Sequence, residues 1–153
     1  MSDLEIGFAH RDVPYSAAFM PVLMDRIHRF CGEIETDNDP DQLVDWVWRL
    51  YATRDPRFGL WFVHKPGTGV IAHLLAHVDP FEAKLPHTIL IRQAMADPKF
   101  DTRMANKTVL SNVEDWARNN GFQHLTMVTH RNEMAMLRRW GFDTYKHIMR
   151  KAL

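Results

Sequence analysis

The stretch from His87 to Thr129 constrains the fold most, because two strand-like segments flank one amphipathic helical segment there. His87 to Ala96 sets Ile89, Ile91, Gln93 and Met95 against Thr88, Leu90, Arg92, Ala94 and Ala96, the two-residue period of a strand. Asp97 and Pro98 end it. From about Thr102 to Asn119, Ala105, Val109, Val113, Trp116 and Ala117 recur on one helical face, and Gly121 marks the stop. His124 to Thr129 then reads as a buried strand. A strand, helix, strand crossover within one sheet is right-handed and makes its two strands parallel neighbours. Ligands gather where such strands part beside a helix N-terminus, which directs attention to Ala94 through Thr108.

The flanking segments extend this unit into a mixed sheet. Leu4 to Ala9 alternates as a strand, and Tyr15 to Phe30 follows a helical stripe through Phe19, Val22, Leu23, Ile27 and Phe30. After a polar loop, Asp39 is placed to cap a second helix that begins at Pro40 and runs to about Thr53. Its stripe is Leu43, Val44, Val47, Leu50 and Tyr51, with Trp46 and Trp48 wide of the centre. Phe58, Leu60 and Phe62, then Val70, Ala72 and Leu74, form a hairpin around Lys65 to Gly69. Beyond His124 to Thr129 come a short helix with Met134, Leu137 and Trp140, a stop at Gly141, and a last strand near Thr144 to Met149. The expected order is β α α β β β α β α β, an α/β (α+β) fold with helices flanking a mixed central sheet.

Composition narrows the function classes. The chain has 153 residues, which suits one domain able to enclose a core without metal or disulfide staples. No apolar run approaches the roughly 20 residues of a membrane helix, and the first residues carry no secretory pattern, so a cytoplasmic protein is expected. Cys31 is the single cysteine and has no internal partner for a disulfide. Nineteen basic residues balance nineteen acidic ones, which argues against nucleic acid or a membrane surface as a partner. The cluster Arg138, Arg139, Lys146, Arg150 and Lys151 reads as a solvated face. Oligomerisation is left open.

The block Asp97 to Phe122, DPKFDTRMANKTVLSNVEDWARNNGF, resembles without gaps the central motif of the GNAT (GCN5-related N-acetyltransferase-like) superfamily. Pro98, Phe100, Glu114, Trp116, Ala117, Gly121 and Phe122 fall in register with it. TMVTHRN and the WGF at Trp140, Gly141 and Phe142 resemble the next strand and the closing turn, so the likeness spans nearly the whole chain. It implies acetyl-CoA (coenzyme A) as cofactor and a primary amine as acceptor. The pantetheine arm would pair with the strand edge at Ala94 and Ala96, as an added strand does. The pyrophosphate would meet the first turn of the helix, at Arg103, Met104, Ala105, Asn106, Lys107 and Thr108. Three positions depart from the motif: Asp101 stands where Arg or Gln is usual, and Met104 and Asn106 stand where glycine or alanine lets phosphate reach the backbone. Such replacements resemble those in small GNAT-like proteins of bacteria and their phages.

For catalysis the resemblance offers less. The strand matching the family's base-bearing strand lacks a carboxylate on either face, and Leu137 holds the place of the family's tyrosine acid. His130, at the end of the preceding strand, is the candidate proton carrier, since an imidazole with a pKa near 6.5 suits the task. Its bland alternative is a cap or packing role. His73 and His77 stand four apart, yet on a strand and without a cluster of further ligands they do not suggest metal. Trp46, Trp48 and Tyr51 are expected in the core, with an acceptor pocket as the alternative. Asp97 is expected to serve a turn. The leading expectation is acyl-CoA-dependent N-acyltransfer by direct attack, and its rival is a GNAT-shaped binding or assembly module without chemistry.

Overall fold

A computed structural model describes residues 3–33, 39–79, 87–127, 138, 140–143 and 151–152. Within them five strands form one sheet in sequence order: β1 (Glu5–Phe8), β2 (Phe58–Lys65), β3 (Gly69–Val78), β4 (Thr88–Ala96) and β5 (His124–Met127). Neighbours are antiparallel as far as β4, and β4 and β5 are parallel, as the crossover requires. The helices are α1 (Val13–Ser16), α2 (Met20–Glu33), α3 (Pro40–Ala52) and α4 (Arg103–Asn119). The expected short helix with Met134 and Leu137, and the last strand at Thr144 to Met149, lie outside the described residues. No helix among the described residues is long and apolar enough to cross a membrane.

The sheet is packed on both faces. Against α4, whose Ala105, Val109, Val113, Trp116 and Ala117 are buried, lie Trp61, Val63, Leu74, Ala76, Ile89 and Ile91. Against α2 and α3 lie Phe58, Leu60, Phe62 and Leu75, meeting Met20, Leu23, Ile27, Leu43 and Val47. The alternation along β2 therefore feeds two cores at once. Each fully buried large side chain contributes about 1.5–3 kcal/mol.

The first helical stripe is broken where one helix was expected. α1 ends at Ser16 and α2 starts at Met20, with Phe19 N–H donating to Ser16 O (2.8 Å) across the gap. Pro21 accounts for the break, because it has no N–H to carry the helix ladder back to Ala17 O and suits the first turn of a new helix, where that N–H is not needed. α3 begins as its sequence dictates: Asp39 accepts from Asp41 N (2.9 Å) and Gln42 N (3.2 Å), with Pro40 first in the helix. The end of α4 is a Schellman turn, in which Phe122 N reaches Ala117 O (2.9 Å) and Gly121 N reaches Arg118 O (3.0 Å). Gly121 takes a φ of +80° there, a conformation that costs other residues.

A bulge in β4 corrects one further expectation. Ala76 stands opposite Ile91 while Leu75 stands opposite Gln93, so Arg92 is an extra residue in the strand. The alternation shifts phase at that point. Ile89 and Ile91 face the α4 core, and beyond the bulge so do Ala94 and Ala96, whereas Gln93 donates to Ile27 O of α2 (3.2 Å) on the opposite face. The sequence pattern had grouped Gln93 with Ile89 and Ile91.

Candidate active site

The parallel ladder between β4 and β5 pairs Thr88 with His124, Ile89 with Leu125, Leu90 with Thr126 and Ile91 with Met127. Arg92, the bulged residue, comes next, and β4 continues five residues past Ile91 to Ala96. Those residues keep β3 on one side, through Leu75–Gln93, Leu74–Ala94, His73–Met95 and Ala72–Ala96. Among the described residues none pairs with them on the β5 side. A bulge bends its strand and increases local twist, and here it does so at Arg92.

The amino end of α4 lies just past the end of β4. The N–H of Asn106 is taken by Thr102 O (2.7 Å), and that of Arg103 by Asp101 Oδ1 (3.2 Å). Thr102 makes no side-chain cap, and among the described residues nothing accepts from Met104 N or Ala105 N. Two helix-terminal donors thus stay open to an anion, aided by the helix dipole. The Arg103 guanidinium is held by Asp101 in a fork (Nε–Oδ1 3.0 Å, Nη2–Oδ2 2.8 Å), and both side chains are largely exposed. That partner holds the Asp101 carboxyl at a pKa of about 2, through its side-chain and backbone hydrogen bonds to Arg103. Asp101 remains charged across the ordinary pH range.

The other residues singled out from sequence divide by what they touch. Ala94 and Ala96 are partly buried beside the α4 core, and the Ala105 side chain lies within it. Asn106 Nδ2 donates to Thr102 Oγ1 (2.9 Å), and the Thr108 hydroxyl donates to Met104 O (3.1 Å), so that proton is spent within the helix. Met104 is 75% exposed, which is unusual for a large apolar side chain, and Lys107 is exposed. Asp97 accepts from Lys99 N (3.0 Å) in the turn expected of it. His130 lies outside the described residues.

On the other face of the sheet, beneath α3, is a cavity of about 500 Å3. Leu43, Trp46 and Leu50 form its apolar wall, His77 and Arg92 its polar side, and Asp39 and Asp79 are also at its margin. The tautomer of His77 follows from its neighbours. Val78 O, 2.8 Å from Nδ1, can only accept, and Arg92 Nε, 2.8 Å from Nε2, can only donate. Burial, and then the Arg92 charge, push the His77 pKa below its usual value despite the Val78 bond, so the ring is neutral. His73, on the same face of β3, is buried and accepts from Arg26 Nε (3.4 Å) while donating to Gln93 Oε1 (2.9 Å). It is a structural link. Among the described residues no group of three or more His, Cys, Asp or Glu is placed to hold a metal.

No family model matches the sequence, and no curated protein matches it. Solved structures do match. The aminoglycoside N-acetyltransferase AAC(6')-Iy in complex with CoA superposes with a TM-score of 0.71 at 11% identity, over 100% of this chain and 96% of that one. A predicted acetyltransferase from Clostridium acetobutylicum, solved with acetyl-CoA, gives 0.66 at 14% identity over 97% and 96%. The aminoglycoside acetyltransferase meta-AAC0020 from an uncultured soil metagenomic sample, in complex with sisomicin, gives 0.61 at 13% over 99% and 97%. The chain has the GNAT fold. At such identities the likeness carries the architecture, and the chemistry has to be argued from this chain's own residues.

The cavity under α3 and the helix α4 lie on opposite faces of the sheet, and Arg92, the bulged residue, lines the cavity. Sequence reasoning passed over Arg92, a lone charge in an apolar strand, and set His77 aside with His73. An arginine at a buried-strand position is itself a signal, since such a charge is rarely enclosed without a partner or a ligand. Trp46 does line the cavity and packs edge-on to His77 (4.9 Å). Trp48 is 38% exposed, and Tyr51 ties α3 to α1 by donating to Val13 O (3.1 Å).

Proposed function

We propose that this chain is an acyl-CoA-dependent N-acyltransferase that passes an acetyl group directly to a primary amine. The observation that carries the reading is the bulge at Arg92, in a strand that runs on to Ala96 just before α4, with two helix N–H groups beyond it that nothing among the described residues accepts from. An open strand edge and a helix N-terminus are the two features that an amide-bearing chain ending in a pyrophosphate requires. GNAT-fold neighbours solved with CoA or acetyl-CoA support the same ligand.

The residues fit that ligand with one reservation built into the chain. The edge from Arg92 to Ala96 would align the pantetheine amides, and Met104 N, Ala105 N and Lys107 would hold the phosphates. Arg103 joins them once it leaves Asp101, while the Asp101 charge repels phosphate. Asn106 and Thr108 would contribute oxygen or amide contacts from the same turn. When bound, acetyl-CoA supplies the acetyl group as a thioester, which the amine takes as the new C–N bond forms and the C–S bond breaks. Holding amine and thioester together in a reactive geometry can supply about 7–11 kcal/mol. The cavity under α3 would seat the acceptor, and His130 would take the ammonium proton.

A test is thiol release from acetyl-CoA in the presence of a panel of amines. Transfer is expected, with Lys107→Ala raising KM for acetyl-CoA and His130→Ala lowering kcat about 10²- to 10⁴-fold. Absence of transfer to every amine, with CoA still bound, would favour a binding module of GNAT shape. The Asp101–Arg103 fork at the helix end is the feature that speaks for that second reading.

A further inference from the structure

The charges around the α3 cavity are not equivalent, and their differences restrict what it can hold. Arg57 is gripped by Asp55 through two bonds (Nε–Oδ1 3.0 Å, Nη2–Oδ2 2.8 Å), which neutralises it locally. His77 is neutral, with both ring nitrogens committed. Asp39 is engaged as the cap of α3. Arg92 differs. It spends Nε on a neutral imidazole, so its charge is not balanced by that contact, and among the described residues its two terminal nitrogens have no partner. Its guanidinium therefore offers a pair of donors beside an apolar wall of Leu43, Trp46 and Leu50. A planar two-donor fork matches a carboxylate.

Position adds to charge. Arg92 is the bulged residue of β4 and the first of the edge proposed above for the pantetheine arm, so a group bound to Arg92 lies next to that edge. We infer that the acceptor is of the amino-acid type: a primary amine with a carboxylate a few bonds away, seated on Arg92, and an apolar or aromatic side chain against Leu43, Trp46 and Leu50. The short link between carboxylate and amine holds the nucleophile near the bulge while the side chain fills the cavity. A volume of about 500 Å3 accommodates an aromatic amino acid or a short peptide. Asp39 and Asp79 also line the cavity, so a polycationic amine is the occupant that the test sets against an acid-bearing one. This inference rests on the transferase reading for the fate of the amine, and on the cavity alone for the binding of the acid.

The experiment compares phenylalanine, phenylalaninamide, phenethylamine, a phenylalanine dipeptide and a polycationic aminosugar on the full chain. Both acetyl transfer and direct calorimetric binding without acetyl-CoA are measured. The acid-bearing amines should bind and react with constants about ten- to a hundredfold more favourable than the amide or the decarboxylated amine, the scale of one charge-assisted pair. Arg92→Met should abolish that preference, and Arg92→Lys should retain part of it, each variant first checked for an unchanged melting temperature. If Arg92→Met does not fold, the Arg92→Lys comparison and the ligand series on the unmodified chain decide. Preference for the amide, the decarboxylated amine or the aminosugar would overturn the inference and leave the transferase reading standing. Arg92-dependent binding of the acids without transfer to any amine would uphold the inference and sink that reading. Equal binding of acid and amide, or none, would overturn the inference whatever the transfer result.

Discussion

Asp101 and Arg103 show how two exposed side chains can set the strength of a site. Their fork costs the helix end a cation and places a fixed negative charge beside the donors of Met104 and Ala105. Replacing Asp101 by Asn keeps a similar shape and removes the charge, so Arg103 becomes free to meet phosphate. CoA affinity should rise about three- to tenfold, within the range of one added charge-assisted contact, as read by calorimetric titration; unchanged affinity would mean that the phosphates do not use this turn. The contrast with Arg92 is instructive. Both arginines are part of a close pair, but only one pair contains an opposite charge, and that difference separates a neutralised surface feature from an available binding group.

Among the elements, the interior histidines link stability to pH. His73 joins α2 to β3 and β4 in a relay with Arg26 and Gln93, and His10 Nδ1 accepts from Leu60 N (3.0 Å), fastening the end of β1 to β2. Burial lowers both pKa values to about 4, more than their hydrogen bonds raise them. The unfolded chain, with histidines near 6.5, therefore binds more protons than the folded one between those values. Stability is present in full above about pH 6.5 and is lost progressively as pH falls towards 4, by a few kcal/mol in all. Urea denaturation midpoints at pH 7.5, 6 and 5 should fall in that order, and a flat series would show that the rings are not enclosed. The end of α4 permits a second stability test. Gly121→Ala forces a side chain into the left-handed conformation of the Schellman turn and should cost about 1–2 kcal/mol with little effect on CoA affinity. Equal urea midpoints for the two proteins would contradict that account of the turn.

For the whole molecule, much of the architecture could be read from apolar periodicity. The stripe of α4, the cap at Asp39 and the hairpin around Gly67 are local signals, and local signals survive in a single sequence. The break between α1 and α2 was also written there, in Pro21, but the apolar stripe runs across it and masks it. The Arg92 bulge had no such mark. It carries no glycine, and a bulge is a property of two strands in register, not of one. Of the candidate site, the start of α4 at Arg103 could be placed from pattern, whereas the side-chain geometry of the Asp101–Arg103 fork and the cavity beside Arg92, which joins α3, β3 and β4, could not.

The central claim is that β4 beyond its bulge and the first turn of α4 together form a seat for CoA. Backbone amide hydrogen exchange with and without CoA tests it most directly, because the seat is made largely of main-chain donors. Slowed exchange concentrated at Arg92 to Ala96 and at Met104 and Ala105 is the predicted result. Binding that protects other segments and leaves these amides unchanged, or no protection anywhere at millimolar CoA, would contradict it.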